Sequence, residues 1–134
     1  NPTSPTLLAE WLDAWGVSDP PGCTGCTRNF NLVPAWLSST WPNRRFGLLA
    51  YSRDSVLGPF FSLAQPDFEM ATTTLLMGQY QNKPNLKYYV VDPAQPTHVM
   101  LNQLFTRAVG GVTLQSFVRK WAFGEAGWEN VRGM

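Results

Sequence analysis

Apolar residues fall along this chain in two rhythms. Leu7, Leu8, Trp11, Leu12 and Trp15 sit at i, i+1, i+4, i+5 and i+8, which predicts an amphipathic helix closing at Gly16. Phe30, Val33, Trp36, Leu37 and Trp41 repeat the helical spacing, with Pro34 admissible in a first turn and Pro42 as the stop. Then the rhythm changes. Residues 46–51, Phe-Gly-Leu-Leu-Ala-Tyr, are apolar without a break, as suits a strand covered on both faces by helices. Ser52, Arg53 and Asp54 end that run. Residues 55–63 predict a short helix, and residues 68–80 a longer one carrying Phe68, Leu75, Leu76 and Met77. After a polar turn, residues 86–91 read Leu-Lys-Tyr-Tyr-Val-Val, a second strand rich in aromatic and β-branched side chains. A Pro-containing loop, 92–97, delivers the single histidine, His98. Residues 99–109 fit neither period, and Gly110-Gly111 breaks the chain. Thr113 can then cap a last amphipathic helix carrying Leu114, Phe117, Val118 and Trp121.

Two strands separated by helices predict a right-handed parallel crossover. Two strands alone do not make a doubly wound sheet, and parallel strands are normally buried on both faces. The expectation is therefore an α/β chain, residues 1–134 forming a single unit that is one piece of a larger parallel sheet. The rival expectation is a sheet with further strands that the pattern conceals.

Composition narrows the function classes. The chain has 134 residues, 44% hydrophobic and 14% charged, which fits one globular domain or part of one. A net charge of +1, with no basic cluster larger than Arg44-Arg45, gives no field for drawing in nucleic acid or an anionic membrane. No run approaches the roughly 20 apolar residues of a membrane-spanning helix. The first residues carry no basic and apolar leader pattern, and a secreted chain whose leader has been removed starts in the same way. Six tryptophans are many for this length. Those on helical stripes (Trp11, Trp15, Trp36, Trp41 and Trp121) are expected in the core; Trp128, beyond the last helix, is not assigned.

The only cysteines, Cys23 and Cys26, lie in the loop Pro-Pro-Gly-Cys-Thr-Gly-Cys-Thr. One such pair lacks the four ligands of a closed zinc site, and no strand precedes it as in a redox motif. A structural loop disulfide, which implies an oxidising compartment, is the favoured reading; a reduced or redox pair and a metal site are the alternatives. No cofactor or metal is expected from the motifs, which include no Gly-rich phosphate loop and no HExxH.

Two residues could carry chemistry. Asp54 stands just past the carboxyl end of the first strand, and His98 a short loop past the second. Ligands and catalytic groups gather at the carboxyl ends of strands in open α/β sheets. An Asp there can accept the Nδ1–H of a His and orient its ring. The plainer reading of Asp54 is a helix N-cap, and of His98 a surface residue. The order Asp then His fits the last two places of an α/β-hydrolase triad, yet no serine sits in a glycine-flanked elbow.

The residues Pro-Pro-Gly-Cys-Thr-Gly-Cys, Arg-Phe-Gly-Leu-Leu-Ala-Tyr-Ser-Arg-Asp-Ser-Val-Leu-Gly-Pro-Phe-Phe, Pro-Thr-His-Val-Met-Leu and the terminal Val-Thr-Leu-Gln-Ser-Phe-Val-Arg-Lys-Trp segment follow one another in this order. The series resembles the C-terminal part of the pectin acetylesterase/Notum-like family, the bacterial vtpJ-therm-type members above all. The resemblance covers about residues 7–131 and implies a secreted or periplasmic serine esterase of α/β-hydrolase fold. It implies Asp54 as the triad acid, Thr97-His98 as the base segment and Trp128 as the closing tryptophan. The family's serine elbow and oxyanion-hole glycines lie upstream of the cysteine loop, and this chain has neither. The expected partner is thus an N-terminal fragment of the same precursor carrying the nucleophilic serine. The expected substrate is an ester, whether acetylated polysaccharide, polyester or lipid. A non-catalytic binding or structural module of α/β-hydrolase descent is the second reading, and a redox protein using Cys23 and Cys26 the third.

Overall fold

A computed structural model describes residues 12–95 and 97–133 of the chain. Leu7, Leu8 and Trp11, three members of the first expected stripe, lie outside the described residues. Residues 12–14 are helical and the turn closes at Gly16, whose φ of 59° is the left-handed value that glycine supplies without a Cβ penalty. A 3-10 turn, Phe30–Leu32, leads into helix α1, Val33–Thr40, with Pro34 in its first turn. Strand β1 is Phe46–Tyr51, helix α2 is Leu57–Phe60 and helix α3 is Gln65–Leu75. The chain runs from α3 into a π-helical segment, Leu76–Tyr80. Strand β2, Leu86–Val91, is followed by a 3-10 turn, Leu101–Gln103, a hairpin of β3 (Ala108–Val109) and β4 (Val112–Thr113), helix α4 (Leu114–Phe123) and strand β5, Val131–Gly133.

β1, β2 and β5 form a parallel sheet in that spatial order, with Phe46 opposite Leu86 and Tyr89 opposite Val131. The fold is therefore mixed α/β with a parallel sheet, as the pattern predicts. Each face of the sheet is covered. On one face Tyr51, Tyr89, Val91, Leu114, Phe117 and Trp128 form a buried cluster with Leu49 and Trp121 against it. On the other, Leu76, Tyr80, Leu86 and Val90 are buried together, with Phe46, Leu48 and Ala50 packed on them. Successive strand residues alternate between the two clusters, so two-sided cover accounts for the unbroken apolar runs.

Three strands escape the sequence pattern. β5 pairs with β2, and Gly110-Gly111, at φ 55° and 80°, is the turn of the β3–β4 hairpin rather than a simple break. The helix expected over residues 55–63 shrinks to Leu57–Phe60, and the one expected over 68–80 begins at Gln65. Two of the tryptophans expected in the core are exposed, Trp15 at 71% and Trp41 at 42%. Trp36 and Trp121 are half-buried, while Trp128 is buried beneath the Arg45 guanidinium, 5.2 Å from its ring centre. No helix among the described residues is long and apolar enough to cross a membrane.

Candidate active site

The carboxyl ends of β1 and β2 are tied together beyond their ladder. Ser52 N donates to Val91 O at 2.9 Å, and past it Thr97 N donates to Arg53 O at 3.1 Å and Ser55 N to Thr97 O at 3.0 Å. Asp54 and Thr97 thus form an isolated parallel bridge. This bridge is what carries His98, one residue on, to the side of Asp54.

His98 Nδ1 lies 2.8 Å from Asp54 Oδ2 and 3.0 Å from Oδ1. The carboxylate is buried, at 5% exposure, while the imidazole keeps 38% of its side-chain surface open. Asp54 Oδ1 also accepts from Val56 N at 2.8 Å and Leu57 N at 2.7 Å, at the start of α2. The Asp is therefore a helix cap and a histidine partner at once. Two amide donors fix the carboxylate, and the fixed carboxylate fixes the ring. A neutral imidazole that donates Nδ1–H here carries its lone pair on Nε2, which has no partner among the described residues.

Two residues of this site gave no sequence signal. Gln65 Nε2 donates to Asp54 O at 2.9 Å and so pins the backbone of the acid from the first turn of α3. Residue 65 falls between the helices expected over 55–63 and 68–80, and no motif marks it. Val99, directly after His98, has φ 64°, a region that β-branched residues almost never enter. Its side-chain type argues for the opposite conformation, so nothing local announces it. The strained turn is held by the bridge before it and by Met100, which is buried in the core.

No serine hydroxyl among the described residues bonds His98. Ser52, the residue after β1, is wholly buried and its Oγ has no partner among the described residues. The couple can hold and pass a proton, and no hydroxyl among the described residues hydrogen-bonds its imidazole.

Cys23 and Cys26 are buried and joined as a disulfide, with Cα atoms 5.6 Å apart. Their loop is braced by Asp19, which accepts from Gly25 N at 2.5 Å, Thr27 N at 2.8 Å and Thr27 Oγ at 2.7 Å. The Thr27 and Gly25 amides hold the Asp19 carboxyl below its ordinary value. No hydrogen bond among the described residues joins this loop to Asp54 or His98. No group of three or more His, Cys, Asp or Glu among them could hold a metal ion. Comparisons with family models, with curated proteins and with solved structures found no match.

Proposed function

We propose that this chain is the acid- and base-bearing part of a secreted or periplasmic carboxylic-ester hydrolase, the C-terminal portion of an α/β-hydrolase fold. Asp54 and His98 are two members of its Ser-His-Asp triad, and an N-terminal fragment of the same precursor supplies the serine. One observation carries the reading: His98 Nδ1 lies 2.8 Å from a buried carboxylate at the carboxyl ends of two adjacent parallel strands. The resemblance to the pectin acetylesterase/Notum-like family supports it, and the Cys23–Cys26 disulfide suits an oxidising compartment.

His98 Nε2 takes the proton of the serine hydroxyl as its oxygen attacks the ester carbonyl. The imidazolium, stabilised by Asp54, returns that proton to the leaving alcohol, and water then releases the acid from the acyl-enzyme by the same exchange. An ester of a polysaccharide, polyester or lipid is the substrate class. The test is labelling by a fluorophosphonate of the chain expressed in continuity with the polypeptide preceding Asn1. Labelling is expected in the parent and lost, by at least about 1,000-fold in rate, in His98→Ala. Labelling that survives the substitution overturns the triad.

The exposed Trp15 and Trp41 favour a second reading, a binding module of α/β-hydrolase descent. It expects no labelling of the parent protein.

A further inference from the structure

Ser62 and Val99, at φ 57° and 64°, are the only non-glycine residues in the left-handed region among the described residues. For Ser62 the reason is local. Ser62 N donates to Pro59 O and Leu63 N to Gly58 O, each at 2.9 Å, the pair of bonds that closes a helix through one left-handed residue. Val99 follows no helix, and no backbone hydrogen bond among the described residues closes a turn over it. Its branched Cβ makes the left-handed region costly, and at 54% exposure its burial offsets little of that cost.

The conformation is imposed from both sides. Before it, Thr97 N donates to Arg53 O and Thr97 O accepts from Ser55 N. After it, Met100 is buried in the same cluster as Tyr51. Gln103 N donates to Met100 O at 2.9 Å, and Gln103 Oε1 accepts from the Tyr51 hydroxyl at 3.3 Å and from Arg107 Nε at 2.8 Å. Both anchors therefore hold to residues 51–55, the stretch that also carries Asp54. His98 and Val99 are the two-residue span between them.

We propose that Val99 is a positioning residue, a stiff link held under strain that keeps His98 Nδ1 on the Asp54 carboxylate. For the reaction it serves, the proposal rests on the triad reading. A glycine takes φ 64° without strain, but it also opens wells at either sign of φ, so His98 could turn on a loose peptide while both anchors stayed in place. A β-branched residue has few wells, and the anchors select one of them. The orientation of the imidazole follows from that selection. Strain kept at an exposed residue, next to a candidate base and clamped to the element of its acid, fits positioning better than it fits packing.

Val99→Gly and the conservative Val99→Ile test it, in the chain expressed in continuity with the polypeptide preceding Asn1. Glycine removes strain and stiffness together, and isoleucine keeps both. Val99→Gly is expected to unfold at a Tm equal to or above the parent's, because the relieved strain offsets the greater freedom of glycine in the unfolded chain. It should nonetheless lower kcat for p-nitrophenyl acetate by at least about 10-fold at unchanged KM, and Val99→Ile should restore the parent's kcat. A second readout needs no turnover. The His98 Nδ1–H proton, identified in spectra of the 15N-histidine-labelled continuous protein by its loss in His98→Ala, should lie far downfield in the parent and in Val99→Ile. In Val99→Gly it should exchange with water at least about 10-fold faster. Unchanged exchange in Val99→Gly overturns the proposal, as do the lack of that resonance in the parent, a Tm below the parent's, or a Val99→Ile protein as impaired as Val99→Gly. In an active parent, an unchanged kcat overturns it too. Faster exchange in Val99→Gly with no labelling of the parent by fluorophosphonate sinks the triad and leaves the positioning of His98; labelling with unchanged exchange sinks the positioning only.

Discussion

Asp54 performs two physical tasks with one carboxylate, and substitution can separate them. Its Oδ1 accepts from Val56 N and Leu57 N, a cap that needs only an oxygen, while its pairing with His98 Nδ1 gains from the negative charge. Asp54→Asn is therefore expected to keep the fold, with stability changed by less than about 1 kcal/mol, since Asn caps as well as Asp. It should slow fluorophosphonate labelling and turnover of the continuous protein by about 10,000-fold, because an amide neither fixes the tautomer nor stabilises the imidazolium. Asp54→Ala should slow the reaction as much and also cost about 0.5–2 kcal/mol in urea unfolding. Equal reaction rates for the parent and Asp54→Asn would leave Asp54 a cap and nothing more. Both candidate residues were legible in the sequence, because a carboxylate and a histidine past two consecutive strand ends is a pattern. Gln65 and Val99 were not, since a side chain donating to a distant carbonyl and a β-branched residue at positive φ have no local signature.

At the scale of elements, legibility followed length. β1 and β2, six residues each, are long enough to show as an unbroken apolar run and an aromatic, β-branched one, and α4 is long enough to show its stripe. β5, β3 and β4, of three and two residues, hold none; they are strands only because a neighbour offers them a ladder. Trp15 and Trp41 were misplaced for a related reason: a helical stripe shows that residues share a face, not that anything covers it. Close packing between elements adds a prediction. A Cβ at Gly47 would come 3.0 Å from Trp121 Cδ2, and the indole is held by its Nε1 donating to Arg45 O at 3.0 Å. The ring cannot swing aside without losing that bond. Gly47→Ala is thus expected to destabilise by about 1–3 kcal/mol, although alanine alone would favour a strand over glycine. Thermal unfolding measures it, and a Tm equal to or above the parent's would show that the indole moves freely.

For the whole molecule, the sheet divides the interior into two apolar layers, and both bury tyrosines. Tyr80 lies in one, and Tyr51 and Tyr89 in the other. Burial pushes Tyr80 up to about 12 from its usual 10.0, and burial is also the main cause raising Tyr89, against a smaller opposing pull from Arg107. Tyr89 further donates its hydroxyl to Val112 O at 3.0 Å, a bond that ionisation removes. Both groups bind their protons more tightly folded than unfolded. Their contribution is therefore complete below the unfolded value near 10 and is lost as pH rises toward the folded value. For Tyr80 two units amount to roughly 2 to 3 kcal/mol across that window. Urea unfolding should accordingly give a nearly flat contribution from Tyr80 through neutral pH and a steep fall between about pH 10 and 12, with Tyr89 adding to the loss in the same direction. Tyr80→Phe keeps the ring in its layer and deletes the titration, so its stability should fall less steeply over the same window while matching the parent more closely near pH 7. A variant whose alkaline slope equals the parent's would show that the Tyr80 phenolate reaches water in the folded protein, and that this layer opens before the sheet does.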